Sequence, residues 1–147
     1  MKIVGCIFVL LSSILCSYYY ERALKSKISK CEELISFIIY IKSQIEYFSL
    51  PINSIYERYS NKNDFVNEII SNEGKIKALD KENDKKIAEF FSNIGKGFKK
   101  EQLNLCEYNI ELFSHYLDKL KGEYPSKCKV FRSMSLFFGI CAIILLV

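Results

Sequence analysis

The sequence predicts an all-α fold: a membrane-anchored helical bundle, built as a long antiparallel helical hairpin with an insert of short helices and one transmembrane helix at each end. Three observations predict it. Half of the 147 residues are apolar and 26% are charged, which places the chain outside the composition range of disordered proteins. The apolar residues gather at the ends: residues 3–20 and 133–147 are uncharged, whereas all 17 acidic and 20 of the 21 basic residues lie in 21–132. Within that middle stretch apolar residues recur at steps of three and four, and alternation with period two is nowhere sustained. The expected domains are therefore an N-terminal transmembrane helix (1–20), a cytoplasmic helical bundle (21–132) and a C-terminal transmembrane helix (133–147). This distribution argues against an ordinary soluble enzyme. With 20 bases against 17 acids the middle stretch carries +3, too little and too dispersed to suggest a nucleic-acid partner.

At about 1.5 Å per residue the eighteen residues from Ile3 to Tyr20 cover about 27 Å, close to the roughly 30 Å of a bilayer's hydrocarbon core. The Tyr18-Tyr19-Tyr20 run suits the interface, and Glu21 and Arg22 begin the aqueous side. The competing reading, a cleaved signal peptide, lacks a small-x-small cleavage site. Ser133–Val147 alone covers only about 22 Å, but Val130 and Phe131 lengthen it and Arg132 can snorkel to the headgroups. Both inner flanks are basic: Arg22, Lys25, Lys27 and Lys30 on one side, and Lys119, Lys121, Lys127, Lys129 and Arg132 on the other. The positive-inside rule then puts the middle stretch in the cytoplasm. Cys6, Cys16 and Cys141 lie in the apolar runs, and Cys31, Cys106 and Cys128 show no paired spacing, which fits a reducing compartment and no zinc site.

From Arg22 onward Leu24, Ile28, Cys31, Ile35, Ile38, Ile41, Ile45 and Phe48 step along one helical face, opposite Lys25, Ser29, Glu32, Ser36, Ser43 and Glu46. Pro51 stops this helix or starts the next, with Ser49 or Leu50 as the corner. Short helices follow: one on Ile52, Ile55, Tyr56 and Tyr59, and a second on Phe65, Val66, Ile69 and Ile70 that Asn63 and Asp64 can cap and Gly74 ends. Residues 71–86 suggest a solvated connection with a partial turn through Ile76 and Leu79, before a third short helix on Ile87, Phe90, Phe91 and Ile94. After the Gly95-Lys96-Gly97 break, Leu103, Cys106, Ile110, Phe113, Leu117, Leu120 and Tyr124 form an uninterrupted seven-residue repeat, whose expected partner is the antiparallel Leu24–Phe48 stripe. Pro125 is expected to interrupt that helix, with a kink at Gly122–Pro125.

No candidate for catalysis assembles. Gly95-Lys96-Gly97 lacks the preceding strand and following serine or threonine of a phosphate loop, and suits a helix C-cap. Asp80, Glu82 and Asp84 alternate as in a calcium loop, but Lys85 and Phe91 stand where glycine and glutamate are required. His115 has no histidine or cysteine partner, and Glu32-Glu33 falls on a helix surface. Nothing implies a cofactor or a metal. Of the insert aromatics Tyr56, Tyr59, Phe65, Phe90, Phe91 and Phe98, some face a partner or all fill the core.

Two stretches make the chain resemble the stage III sporulation protein AB family of endospore-forming bacteria. Residues 41–52 (IKSQIEYFSLPI) are similar to the family pattern x-x-E-I-x-Y-x-x-T-P-L, with Ile45, Tyr47 and Pro51 in place and Ile52 a close substitute. Residues 90–102, from Phe90 through Ile94 and Gly95 to Gln102, are similar to F-x-x-x-L-G-x-x-D-x-x-x-Q. The chain departs from the patterns at Gln44, Leu50 and Phe98, where glutamate, threonine and aspartate are usual; the insert is shorter, and Pro125 falls in a helix that is normally unbroken. If the missing aspartate caps the return helix, its role passes to another residue.

The resemblance implies a component of the channel joining mother cell and forespore, set in the mother-cell membrane facing the forespore. It also implies a cytoplasmic bundle similar to that of the type II secretion inner-membrane platform protein F, and a secretion-type ATPase as neighbour. The expected function is thus a non-enzymatic scaffold that docks the cytoplasmic sporulation ATPase and other channel proteins; the expected docking surface is the insert tip and the segment of Gly95, Lys96, Lys99, Lys100 and Gln102, which lie farthest from the membrane on a helical hairpin. Two alternatives differ in class: a membrane-bound regulator that self-associates as a homo-oligomer through the Leu103–Tyr124 repeat, and an enzyme.

Overall fold

The structure, a computed structural model, describes residues 2–59 and 64–146, with the side chains of residues 2–4, 6, 9, 10, 143, 145 and 146 outside the described set. Among the described residues there are five α-helices, one π-helical turn and no strand: α1 (Lys2–Ser43), the π-turn (Gln44–Phe48), α2 (Ile52–Tyr59), α3 (Asp64–Ser71), α4 (Lys81–Asn93) and α5 (Lys99–Leu146). The all-helical class is as expected. The chain divides into two compact units, one of residues Met1–Ser26 with Lys119–Val147 and one of residues Lys27–Asp118.

The Lys27–Asp118 unit forms around α1. Cys31, Leu34, Ile35, Phe37, Ile38, Ile41 and Ile45 are buried, a face wider than the expected stripe, which lacked Leu34 and Phe37. The reason is that α1 is covered on two sides, and a helix so placed needs an apolar arc broader than a coiled-coil seam. The antiparallel α5 covers one side with Cys106 and Phe113 buried and Leu103, Ile110 and Leu117 packed against the core. Its direction is fixed by the Cys31 thiol over the Phe113 carbonyl (3.6 Å) and the Lys42–Glu107 ion pair (2.7 Å). The short helices cover the other side, where the Phe37 ring lies 4.6 Å from Tyr59, 6.1 Å from Tyr56 and 6.0 Å from Phe91 between centroids. Burying such a ring contributes about 1.5–3 kcal/mol. Phe48, expected to close the stripe, is instead 65% exposed. The wider π-turn carries it off the buried face, and Ser49 then breaks the helix in the left-handed region (φ 49°).

Pro51 starts the next helix, its carbonyl accepting from the Ser54 and Ile55 amides (3.1 and 3.3 Å). Of the caps expected for α3, Asn63 lies outside the described residues and Asp64 is the first helical residue. The far end of α3 closes with two bonds, Gly74 amide to Ile69 carbonyl (2.9 Å) and Glu73 amide to Ile70 carbonyl (3.2 Å), the Schellman pattern. Gly74 has φ +78°, and a Cβ there would stand 3.0 Å from both Ala88 Cα and Phe91 Cβ, so only glycine allows α4 this close.

The connection after α3 departs from the solvated segment expected at 71–86. Ile76, Ala78 and Leu79 are buried, and α4 begins at Lys81 rather than near Ile87. Asp84 makes that early start possible: its Oδ1 accepts from the Ala78 and Leu79 amides (3.1 and 2.8 Å), meeting backbone donors ahead of the helix. Asp80 then faces outward, accepting the Tyr116 hydroxyl on one oxygen and the Lys27 ammonium (2.8 Å) on the other, so that α1, α4 and α5 meet at one carboxylate. Burial, with Asp80 beside it, pushes the Tyr116 hydroxyl above its ordinary pKa.

In the other unit the two helix segments pair antiparallel. Tyr20 stacks on Phe131 (4.1 Å), and the Ser135 hydroxyl donates to the Ser13 carbonyl (2.6 Å). Glu21 accepts from Tyr124 (3.0 Å) and pairs with Lys25 (3.1 Å) and Arg132 (3.3 Å). The interruption expected at Pro125 does not occur: α5 continues through it, bracketed by the Glu123–Lys127 pair (2.6 Å). Among the described residues no helix is long and apolar enough to cross a membrane. The run at residues 3–20 includes Ile3, Val4, Cys6, Val9 and Leu10, whose side chains lie outside the described residues.

Two measurements check this packing. Phe37→Ala is expected to destabilise the full chain by about 3–5 kcal/mol in denaturant titration, the range for emptying an aromatic core site. In thiol labelling at pH 8, Cys128 is expected to react while the buried Cys31 and Cys106 react only on unfolding. Burial pushes the Cys106 thiol up from 9.0 to about 11. The unfolded thiol loses its proton first, so stability contributed below pH 9 falls as the pH rises toward about 11.

Candidate functional site

The two motif segments meet where α1 stops and α5 starts. Lys99, in the first turn of α5, sends its ammonium across to the Glu46 carbonyl (2.7 Å) and the Ser49 hydroxyl (3.0 Å). These groups belong to the π-turn and its left-handed cap, whose carbonyl ends need donors. On the other side of the junction Gly95 has φ +86°, and a Cβ there would stand 2.8 Å from Ile52 Cγ2, which locks the loop after α4 against the start of α2. Thus residues 41–52 and 90–102, far apart in sequence, build one surface.

The start of α5 resolves the departure at Phe98. Phe98 cannot cap a helix with its side chain, but its amide donates to the Glu101 carboxylate (3.0 Å), three residues on. This is the reciprocal half of a capping box: Glu101 meets the Phe98 amide, whereas an aspartate side chain at 98 would have met a first-turn amide of the helix, so only one of the two capping bonds is kept. Gln102 adds a donor to the Gly97 carbonyl (3.1 Å). Phe98 projects its ring into solvent, 80% exposed.

Of the expected docking residues, the structure brings all five to this junction but divides their roles. Gly95, Lys99 and Gln102 hold the loop together through the contacts above. Lys96 and Lys100 are exposed and have no carboxylate partner among the described residues. Beside them stand three aromatics that the docking segment did not include: Phe98, Tyr47 (76% exposed) and Phe48 (65%). The other insert aromatics went inside: Phe65, Phe90 and Phe91 are buried, and Tyr56 and Tyr59 pack against Phe37. The signal for the missed residues was position. Tyr47 and Phe48 precede a proline corner and Phe98 follows a glycine pair, so none has a helical face on which to hide.

Chemically the surface offers rings and uncompensated ammonium groups, which suits recognition of a partner with apolar and acidic groups. Among the described residues no three histidine, cysteine or acidic side chains gather as a metal site would require. His115 is exposed, and Asp80 and Asp84 of the calcium-like alternation are engaged by protein donors.

The division of roles is testable by stability alone. Lys99→Met is expected to destabilise the chain by about 1 kcal/mol through loss of its charge-assisted bonds, whereas Lys96→Met and Lys100→Met stay within about 0.5 kcal/mol in the same titration.

No curated protein and no solved structure matches the chain. A family model described as stage III sporulation protein AB matches residues 2–71 and 63–147, which together include both motif segments and both apolar ends. The chain belongs to the stage III sporulation protein AB family.

Proposed function

We propose that the protein is a non-enzymatic platform in the mother-cell membrane, anchored at both ends and facing the forespore, whose cytoplasmic bundle docks a secretion-type ATPase and other proteins of the sporulation channel. The observation that carries this reading is the surface at the α1–α5 junction, where Tyr47, Phe48 and Phe98 stand exposed beside Lys96 and Lys100. Exposed rings cost solubility, and a cluster held in place by Lys99, Gly95 and Glu101 suits an interface core of aromatics with a charged rim.

Anchoring is supported by the Met1–Ser26 and Lys119–Val147 unit taken by itself. Ile7, Phe8, Leu11, Ile14 and Leu15 on one helix, and Met134, Phe137, Phe138, Ile140 and Ile144 on the other, are each more than half exposed. Two paired helices cannot cover apolar side chains that point outward on all sides; a hydrocarbon solvent does. The Ser135–Ser13 bond between the helices satisfies a hydroxyl inside such a solvent. Self-association through the Leu103–Tyr124 repeat has less to recommend it, because Cys106 and Phe113 already lie in the core and Leu103, Ile110 and Leu117 pack against it.

The test is a titration of the full chain in detergent with the same organism's sporulation secretion ATPase. Saturable binding is expected, weakened by at least about tenfold in Lys96→Glu/Lys100→Glu, since like charges placed against an acidic partner cost several kcal/mol. Phe98→Ser is expected to weaken binding without lowering thermal stability, because its ring touches nothing that folding needs. Absence of saturable binding by the unaltered, helical protein would refute the platform reading.

A further inference from the structure

Two shallow grooves flank Arg132 in the Met1–Ser26 and Lys119–Val147 unit, and both are lined by Glu21, Arg132 and Leu136. Ser17 and Ile14 of α1 continue one; Lys129 and Ser133 of α5 continue the other. Each helix presents the same order along one face. On α1, Glu21, Ser17 and Ile14 are spaced by four and three; on α5, Lys129, Arg132, Ser133 and Leu136 fall at i, i+3, i+4 and i+7. The grooves thus run from charge through hydroxyl to hydrocarbon, the order found along a glycerophospholipid from phosphate through glycerol to acyl chain.

Charge selects the headgroup. Glu21 is already served by Lys25 (3.1 Å) and the Tyr124 hydroxyl (3.0 Å), which hold its carboxyl below the usual range. Among the described residues Arg132 makes only the longer 3.3 Å contact to Glu21 through one terminal nitrogen, and its side chain is 67% exposed. A guanidinium has five N–H donors in a fork that matches two phosphate oxygens, so most of its capacity faces outward. Lys25 and Lys129 add two further positive charges against the single Glu21.

We propose that the Arg132 grooves bind the phosphate of a membrane glycerophospholipid, with Arg132 as the main ligand, Ser17 beside it in one groove and Lys129 in the other, and an acyl chain lying along Leu136, with Ile14 in the first. The proposal rests on the membrane-anchored reading above. It assigns Arg132 a role beyond marking the cytoplasmic flank, because a flank charge acts at any position near the surface whereas a site requires this one.

The experiment is lipid titration of the full chain in detergent by native mass spectrometry, with dioleoylphosphatidylglycerol, with dioleoylglycerol of the same chains, and with inorganic phosphate as competitor. Arg22→Gln removes the same charge from the opposite helix, where the arginine is exposed, and serves as the comparison. Removing any one surface charge weakens anionic-lipid binding about fivefold. Arg132→Gln is expected to weaken phosphatidylglycerol binding by about tenfold more than Arg22→Gln does, with dioleoylglycerol bound weakly and millimolar phosphate unable to displace the lipid. Lys129→Gln is expected to act in the same direction as Arg132→Gln. Equal losses for Arg132→Gln and Arg22→Gln would overturn the site in favour of general surface charge. Equal binding of dioleoylglycerol would reduce the grooves to apolar surface, and displacement by phosphate would make the ligand a free anion. Vesicle partitioning separates the two levels: a chain that does not enter vesicles loses anchoring and site together, whereas one that enters without an Arg132-specific loss loses the site alone.

Discussion

The Lys27–Asp118 unit depends on one requirement, that the broad apolar face of α1 and its π-turn, from Cys31 to Ile45, be shielded from water on two sides. A single antiparallel helix can cover only a narrow seam. The chain therefore needs the short helices α2, α3 and α4, and the Phe37 ring among Tyr56, Tyr59 and Phe91 is where they converge on α1. Much else in the unit follows from fitting those helices into a short span. Gly74 turns the chain where α4 leaves no room for a Cβ, Asp84 starts α4 early, and Gly95 returns the chain against Ile52.

The same requirement creates the exposed surface. Once α1 must end at a corner and α5 must begin beside it, backbone groups at both helix termini need partners, and Lys99 and Glu101 provide them. Side chains next to those termini are left without a face to bury. Evolution could place polar residues there at no cost to the fold; this chain places Tyr47, Phe48 and Phe98. That choice, not the helical architecture, is what leaves rings exposed at the junction. A helical hairpin of this kind fits many roles, and fold alone does not select among them.

The long-range plan was legible because it rests on periodicity. The Leu103–Tyr124 repeat and the Leu24–Phe48 stripe identified the antiparallel pair, although Phe48 itself is exposed, and Pro51, Gly74 and the glycines at 95 and 97 marked breaks that the structure contains. What escaped has local causes. Leu34 and Phe37 lie off the strict seam and become interior only because the insert folds back over them. Ile76, Ala78 and Leu79 sit among so many charged residues that composition hides their burial, and Asp80 and Asp84 look like a solvated run until their acceptors are seen to serve Tyr116, Lys27 and the connection's own amides. Pro125 was expected to interrupt a helix that instead carries on through it. At the candidate surface, the residues from Gly95 to Gln102 were singled out by their place at the end of the hairpin and Phe98 by its place in the insert, whereas Tyr47 and Phe48 were not, since the helical period puts Phe48 on the buried stripe and the π-turn takes it off.

Docking of the channel ATPase at the junction of α1 and α5, as proposed above, is tested by placing a photo-crosslinking amino acid at position 98 in sporulating cells, with position 108, an exposed tyrosine of α5 ten residues further on, for comparison. Position 98 is expected to cross-link to the secretion-type ATPase and position 108 is not. A cross-link to the ATPase from position 108 but none from position 98 would contradict it.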